Sequence, residues 1–153
     1  MSLSCDVIHC LSGKTLATAE SLTGGGIGAA LTAVPGSSTV YKGGIISYTN
    51  EIKHNVLGVQ EDVLNRYGAV SSWVAGQMVS GVRKLMSADI AVSVTGLAGP
   101  TGDDFGHAVG TVFIGYEDCS RSIVQQYQFS GNREAVRSQT IEAAFKLILK
   151  YNP

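Results

Sequence analysis

Residues 15–36 set the first constraint on the fold. Thr15 to Ala19 reads as a strand, and the turn Ser21-Leu22-Thr23-Gly24-Gly25-Gly26 follows it. Ile27, Ala30, Leu31 and Val34 then recur at helical spacing until Pro35-Gly36 stops the pattern. A strand that passes through a glycine turn into a helix has to bury one side of each element. The unit therefore commits the chain to packing helices on a sheet.

The remaining periodicities extend that unit. Leu3, Val7, Ile8 and Leu11 predict a short helix that Ser12-Gly13 ends, and Gly43 to Tyr48 reads as a second strand. A short polar helix is predicted over Asn50 to Leu57, and another from Glu61. Ser71-Ser72 offer caps for a long helix whose core stripe is Val74, Met78, Val82 and Leu85. Ile90, Val92 and Val94 alternate with the small Ala91, Ser93 and Thr95, as in a strand buried on both faces, and a glycine-rich loop runs from Gly96 to Gly106. Val109 to Tyr116 and Ser122 to Phe129 form an expected hairpin around Glu117-Asp118-Cys119-Ser120. A closing helix, Arg133 to Lys150, places Ile141, Ala144, Phe145, Ile148 and Leu149 on one face.

Helices interleaved with strands early and a hairpin late imply an α/β fold, a three-layer α/β/α sandwich around a mixed sheet of roughly five strands, in a single domain over residues 1–153. Ligands of such folds bind beyond the carboxyl ends of the strands. Ser21, Tyr48 and Thr95-Gly96 stand at three of those ends, and parallel neighbouring strands would bring them to one rim.

Composition narrows the partners. Hydrophobic residues at 44% and charged residues at 15% describe a folded, soluble chain with a somewhat apolar surface, part of which a second subunit would cover in a homo-oligomer. A net charge of −1, with no basic run longer than Arg83-Lys84, excludes the field of a nucleic-acid binder. An anionic ligand must then be small and locally held. No apolar run reaches the roughly 18 residues of a membrane span. Cys5, Cys10 and Cys119 are odd in number and sit at no metal-ligand spacing, as expected of reduced thiols in a cytoplasmic protein.

Ser21 admits two readings. Serine is among the commonest helix caps, and spacing alone leaves the cap slightly ahead. Equally, the entrance of a helix presents free N–H groups that stabilise an oxyanion or hold a phosphate, and Gly24, Gly25 and Gly26 would let a ligand approach them. A serine nucleophile needs a base. His9, His54 and His107 each read as surface residues, which leaves Lys53, five residues after Tyr48. Lysine acts as a base only where burial or neighbouring positive charge lowers its pKa, and taken alone Lys53 reads as a solvated helix lysine. The Tyr48 hydroxyl could bridge Lys53 and Ser21. Arg133 and Arg137 lie near the start of the last helix, where positive charge opposes the helix dipole; each is either a solvated or salt-bridged arginine or an anion ligand. "GLAGPTGDD" and Gly13-Lys14-Thr15 fail the Walker A pattern, "TGGGIG" misses the dinucleotide register, and Asp103-Asp104 read as solvated turn residues.

Six ordered blocks carry a more specific signal. "AESLTGG" (19–25), "VPGSSTVYKGGIISYTNEIKHNVLGV" (34–59), "GAVS" (68–71), "ADIAVSVTGLAGPTG" (88–102), "VGTVFIG" (109–115) and "FSGNREAVR" (129–137) resemble the C-terminal domain family of the competence/damage-inducible protein CinA. Stand-alone members of that family are nicotinamide-nucleotide amidases. The resemblance implies hydrolysis of the carboxamide of nicotinamide mononucleotide to nicotinate mononucleotide and ammonia, with no cofactor and no metal. It implies Ser21 as nucleophile, Lys53 as general base and Tyr48 as its hydrogen-bonded companion. Thr23, Gly24 and Gly25 would serve the oxyanion, and Thr95, Gly96 and Arg133 or Arg137 the nucleotide. Two departures stand out: Leu22 replaces the usual cysteine of "AESCTGG", and His107-Ala108 replace a lysine and proline before the "VGTV" strand. Paralogues without the amidase activity also exist, so a silent relative that binds a small phosphorylated ligand, or an amidase for another amide, shares the same pattern.

Overall fold

The computed structural model describes residues 2–153. Helix α1 (Leu3–Cys10) precedes strand β1 (Leu16–Glu20), helix α2 (Gly26–Thr32) and a 3₁₀ turn at Ser37–Thr39. Strand β2 (Tyr41–Ile46) leads to α3 (Asn50–Leu57), α4 (Glu61–Tyr67) and α5 (Ser72–Met86). Then come β3 (Ile90–Gly96), β4 (Thr111–Glu117), β5 (Ser122–Gln128) and α6 (Arg133–Tyr151). The strands form one sheet in the order β2-β1-β3-β4-β5. β1 is parallel to both β2 and β3, while β4 and β5 run antiparallel.

Alternation along the strands divides the helices into two layers. Leu16 of β1, Ile90, Val92 and Val94 of β3, and Val112, Ile114 and Tyr116 of β4 face α1, α2 and α6, where Val7, Leu31, Phe145 and Ile148 complete the larger core. Ala17, Ala19 and Ala91 face the other way, onto Val74, Met78, Val79 and Val82 of α5 and Leu57 and Leu64 of α3 and α4. The small residues alternating in β3 thus mark the side on which α5 comes close. At Gly115, which pairs with Ser93, a Cβ would sit 2.9 Å from the carbonyl oxygen of Ala75 on α5, so only glycine admits this approach.

The three layers and the mixed five-stranded sheet agree with the sequence reading, as do the helix and strand order. One member of the predicted core does not: Leu85 is 55% exposed, because the buried face of α5 runs through Ala75, Met78, Val79 and Val82 and passes to Met86 in the last turn, which leaves Leu85 on the open side. The second strand also begins earlier and stops at Ile46, so Tyr48 lies beyond it. Among the described residues no helix is long and apolar enough to cross a membrane.

Candidate active site

The parallel triplet β2-β1-β3 delivers its carboxyl ends to one rim. There β1 is held one residue beyond its last ladder pair, since the N–H of Ser21 donates to Val94 O at 3.1 Å and the N–H of Ser47 donates to Glu20 O at 2.8 Å. The backbone of Ser21 is therefore fixed by both neighbouring strands, and the turn that follows carries it over the rim.

Ser21 does not cap α2. The residue preceding the helix is Gly25, in the left-handed region at φ 100°, which has no side chain to offer. The cap comes from the last residue of β1: the Glu20 carboxylate accepts N–H bonds from Ile27 at 2.8 Å and Gly28 at 3.1 Å, and the Thr23 hydroxyl at 2.6 Å. A carboxylate at a helix N-terminus meets both the unpaired amides and the positive end of the dipole. Sequence reasoning missed this role, although the signal was present. Glu20 shares its strand face with Leu16 and Thr18, and so had to turn toward the helical layer.

With the cap supplied elsewhere, the Ser21 side chain is free to meet Lys53. Thr49 caps α3, its hydroxyl accepting the N–H of Ile52 at 3.3 Å, and Lys53 lies in the next turn. Helical side chains lean toward the N-terminus of their helix, so Lys53 runs back under the 47–49 entrance. Its ammonium donates to Ser47 O at 2.6 Å, to Ser21 Oγ at 3.0 Å and to Tyr48 O at 3.4 Å. Lys53 is 1% exposed and has no carboxylate partner among the described ion pairs. Burial lowers its pKa to about 8. Loss of one proton leaves two N–H bonds for the two carbonyls and aims the lone pair at the Ser21 hydroxyl. This is the geometry of a serine activated by a neutral lysine.

Tyr48 plays a different part from the expected one. Its hydroxyl does not stand between Lys53 and Ser21, because the β2 alternation continues past the strand and turns Tyr48 outward with Lys42, Gly44 and Ile46 while Ser47 turns in. The phenol accepts an N–H bond from Arg133 Nη2 at 3.2 Å, and only the Tyr48 carbonyl reaches Lys53.

A cavity of about 540 Å³ opens over Ser21 and Lys53. Thr95, Gly96, Arg133 and Tyr48 are among the residues that line it. Thr95 spends its hydroxyl on Ala69 O at 2.8 Å, which ties the end of β3 to the segment leading into α5. Arg133 donates to Gly99 O at 2.7 Å, so one nitrogen steadies the loop wall while another holds Tyr48. Four expected ligand residues are not in the lining. Thr23 is fully buried on Glu20, Gly24 donates its N–H to Ser21 O at 3.0 Å, Gly25 immediately precedes α2, and Arg137 turns to the carbonyls of Leu22 and Thr23, each at 3.0 Å.

The loop after β3 supplies the rest of the wall, including Asp103 and Asp104, which the sequence presented as solvated turn residues. Asp104 is exposed, but Asp103 organises the loop. It accepts the N–H of Phe105 at 3.1 Å, the N–H of His107 at 3.0 Å and the His107 ring at 2.6 Å. Partial burial pushes the Asp103 carboxyl up, and these hydrogen bonds outweigh it and hold the group below the usual carboxylate range. His107 is thus a structural partner of the cavity wall. Among the described residues no three His, Cys, Asp or Glu side chains are grouped to hold a metal ion.

The model of the CinA C-terminal domain matches residues 4–152. The chain belongs to the CinA C-terminal domain family. It is 44% identical over 138 residues to a CinA-like protein of Thermotoga neapolitana, covering 90% of this chain and 34% of that one. A CinA-like protein of Sulfurihydrogenibium is 48% identical, with 90% and 34% covered. The chain spans about a third of the length of the curated relatives it matches. Among solved structures, the competence damage-inducible protein A of Klebsiella pneumoniae superposes with a TM-score of 0.95 at 34% identity, over 97% of this chain and 93% of that chain. The competence/damage inducible protein of Agrobacterium tumefaciens gives 0.95 at 34%, over 99% and 94%.

Proposed function

We propose that this CinA-type domain is an amidase that hydrolyses the carboxamide of nicotinamide mononucleotide to nicotinate mononucleotide and ammonia, in recycling of pyridine nucleotides. The observation that carries the proposal is the buried contact of 3.0 Å between Lys53 Nζ and Ser21 Oγ at the floor of the cavity. The nucleotide part of the reading rests on the family resemblance, with Arg133 as the cation on the lining that can meet a phosphate.

Neutral Lys53 accepts the Ser21 proton as Oγ attacks the amide carbonyl, and the lysine becomes cationic. The N–H of Leu22, the residue after the nucleophile, makes no hydrogen bond among the described residues and is the nearest main-chain donor in sequence for the oxyanion. Collapse of the tetrahedral intermediate breaks the C–N bond, and Lys53 returns the proton to the departing nitrogen, which leaves as ammonia. Water deprotonated by the same lysine then attacks the nicotinyl-serine ester and frees Ser21.

Release of ammonia and nicotinate mononucleotide from nicotinamide mononucleotide by the purified chain is the decisive assay. Wild type turns over, and Ser21→Ala and Lys53→Ala do not. A wild type without turnover sinks the amidase reading, and binding of the nucleotide alone then identifies a silent relative. Unchanged turnover in Ser21→Ala sinks the dyad. The apolar Ile46, Tyr48 and Trp73, exposed at 55%, 58% and 57%, support the homo-oligomer expected from composition, and sedimentation equilibrium measures it.

A further inference from the structure

Arg137 stands close to the nucleophile without belonging to the cavity. It lies one turn into α6, and its guanidinium spans two successive carbonyls of the turn that follows Ser21: Nε donates to Leu22 O and Nη2 to Thr23 O, both at 3.0 Å. A planar fork is suited to hold two acceptors in one fixed geometry, which a lysine ammonium does not do. The guanidinium also packs on the turn itself, since a Cβ at Gly24 would lie 3.8 Å from Nη2.

We propose that Arg137 is a positioning residue for Ser21, acting through the peptide groups of this turn and not through contact with the ligand. The proposal rests on the reading of Ser21 as nucleophile. In a trans peptide the C=O and the following N–H point in opposite directions. Pinning Leu22 O and Thr23 O therefore fixes the N–H groups of Thr23 and Gly24 as well. The Gly24 N–H is the one that closes the turn on Ser21 O at 3.0 Å. Arg137 holds the outside of the turn while Glu20 grips Thr23 from beneath, and Ser21 Oγ stays at hydrogen-bond distance from Lys53 between them. Without the fork, two carbonyls lose their donors, the turn relaxes, and the nucleophile no longer rests on its base.

The test separates positioning from anion binding. Wild type, Arg137→Lys and Arg137→Gln are treated with phenylmethylsulfonyl fluoride, and modification of Ser21 is followed by intact mass and peptide mapping. Serine oxygen displaces fluoride from sulfur in this reaction, so its rate reads the reactivity of Ser21 without any nucleotide. Both variants label at least about tenfold more slowly than wild type, as expected for a nucleophile displaced by a fraction of an ångström to an ångström. With nicotinamide mononucleotide, kcat falls by a similar factor while KM is unchanged. Arg137→Lys keeps the charge and most of the stem, so it carries the test if Arg137→Gln folds poorly. Labelling of Arg137→Lys at the wild-type rate, a rise in KM with kcat preserved, or a wild-type Ser21 that does not label overturns the proposal. A wild type that labels at Ser21 yet releases no ammonia refutes the proposed amidase reaction and leaves the role of Arg137 standing.

Discussion

Glu20 and Lys53 flank the same serine, and both are almost sealed from solvent, at 2% and 1% exposure. Neither is neutralised by a charge of opposite sign within the described ion pairs. Their surroundings differ in kind. The Glu20 carboxylate meets one hydroxyl and two helix N-terminal amides, three donors that occupy both of its oxygens. Lys53 meets two carbonyls and a hydroxyl, and burial still drives its pKa down to about 8. A buried ion that is well solvated by the protein supports the fold. A buried ammonium whose three acceptors are all neutral, with no carboxylate and no helix terminus to offset its burial, titrates near neutral pH.

Five measurements test that contrast, grouped from the largest effect to the smallest. Lys53→Met removes the proposed base, and kcat/KM for the amide falls by about 10³-fold or more, roughly 4 kcal/mol of transition-state stabilisation. In wild type, the proposed mechanism has kcat/KM rise with pH through about 8, because it uses the neutral lysine. A flat profile across that range would break the comparison at its catalytic side.

The second effect is on stability. Between about pH 8 and the ordinary lysine pKa of 10.5, the unfolded chain binds the Lys53 proton and the folded chain does not. Unfolding free energy attributable to this group therefore increases with pH across that window, and the gain is lost as pH falls through 8. Urea titrations at pH 7 and pH 10.5 should show wild type gaining about 3 kcal/mol relative to Lys53→Met over that span.

Glu20→Gln comes third. Its amide NH₂ has to face either the Gly28 N–H or the Ile27 N–H and Thr23 hydroxyl, donor against donor, at a cost of about 2 kcal/mol read as a lowered urea midpoint. Thr23→Val is the mildest, about 1 kcal/mol, since two amides continue to hold the carboxylate. If Glu20→Gln proved neutral in stability, the two buried ions would no longer differ in the way their contacts imply.

Much of this arrangement was legible in the chain. Interleaved periodicities gave the layers and the mixed sheet, and the strand ends placed Ser21, Thr95 and Gly96 together. Side-chain directions beyond the strands were harder, because they depend on the register in which a strand leaves the sheet. Lys42 could have set that register: with it outward, Gly44, Ile46 and Tyr48 follow outward too, and the Tyr48 hydroxyl is removed from the dyad. Leu85 failed for a related reason, since helical spacing left both Leu85 and Met86 near the inward stripe and the packing chose Met86. Arg137 and Gly24 lie outside the cavity lining, and a turn that consumes its own amides looks, in sequence, like one that offers them. Lys53 is one helical turn before Leu57, on the inward stripe of α3, and no local rule marks a charged residue there as core.

The hydrogen bonds from Lys53 to Ser47 O and Tyr48 O have a consequence for how this site tolerates change. Both acceptors are main-chain atoms, which every amino acid supplies. Ser47 and Tyr48 can vary in side chain without deleting either acceptor, so the aim of the base is insulated from mutation at the residues that set it. What the site is sensitive to is the path of the backbone from Ser47 to Thr49, and with it the cap that starts α3. Sequence drift around the cavity can therefore alter what the domain accepts while the serine and lysine remain aligned.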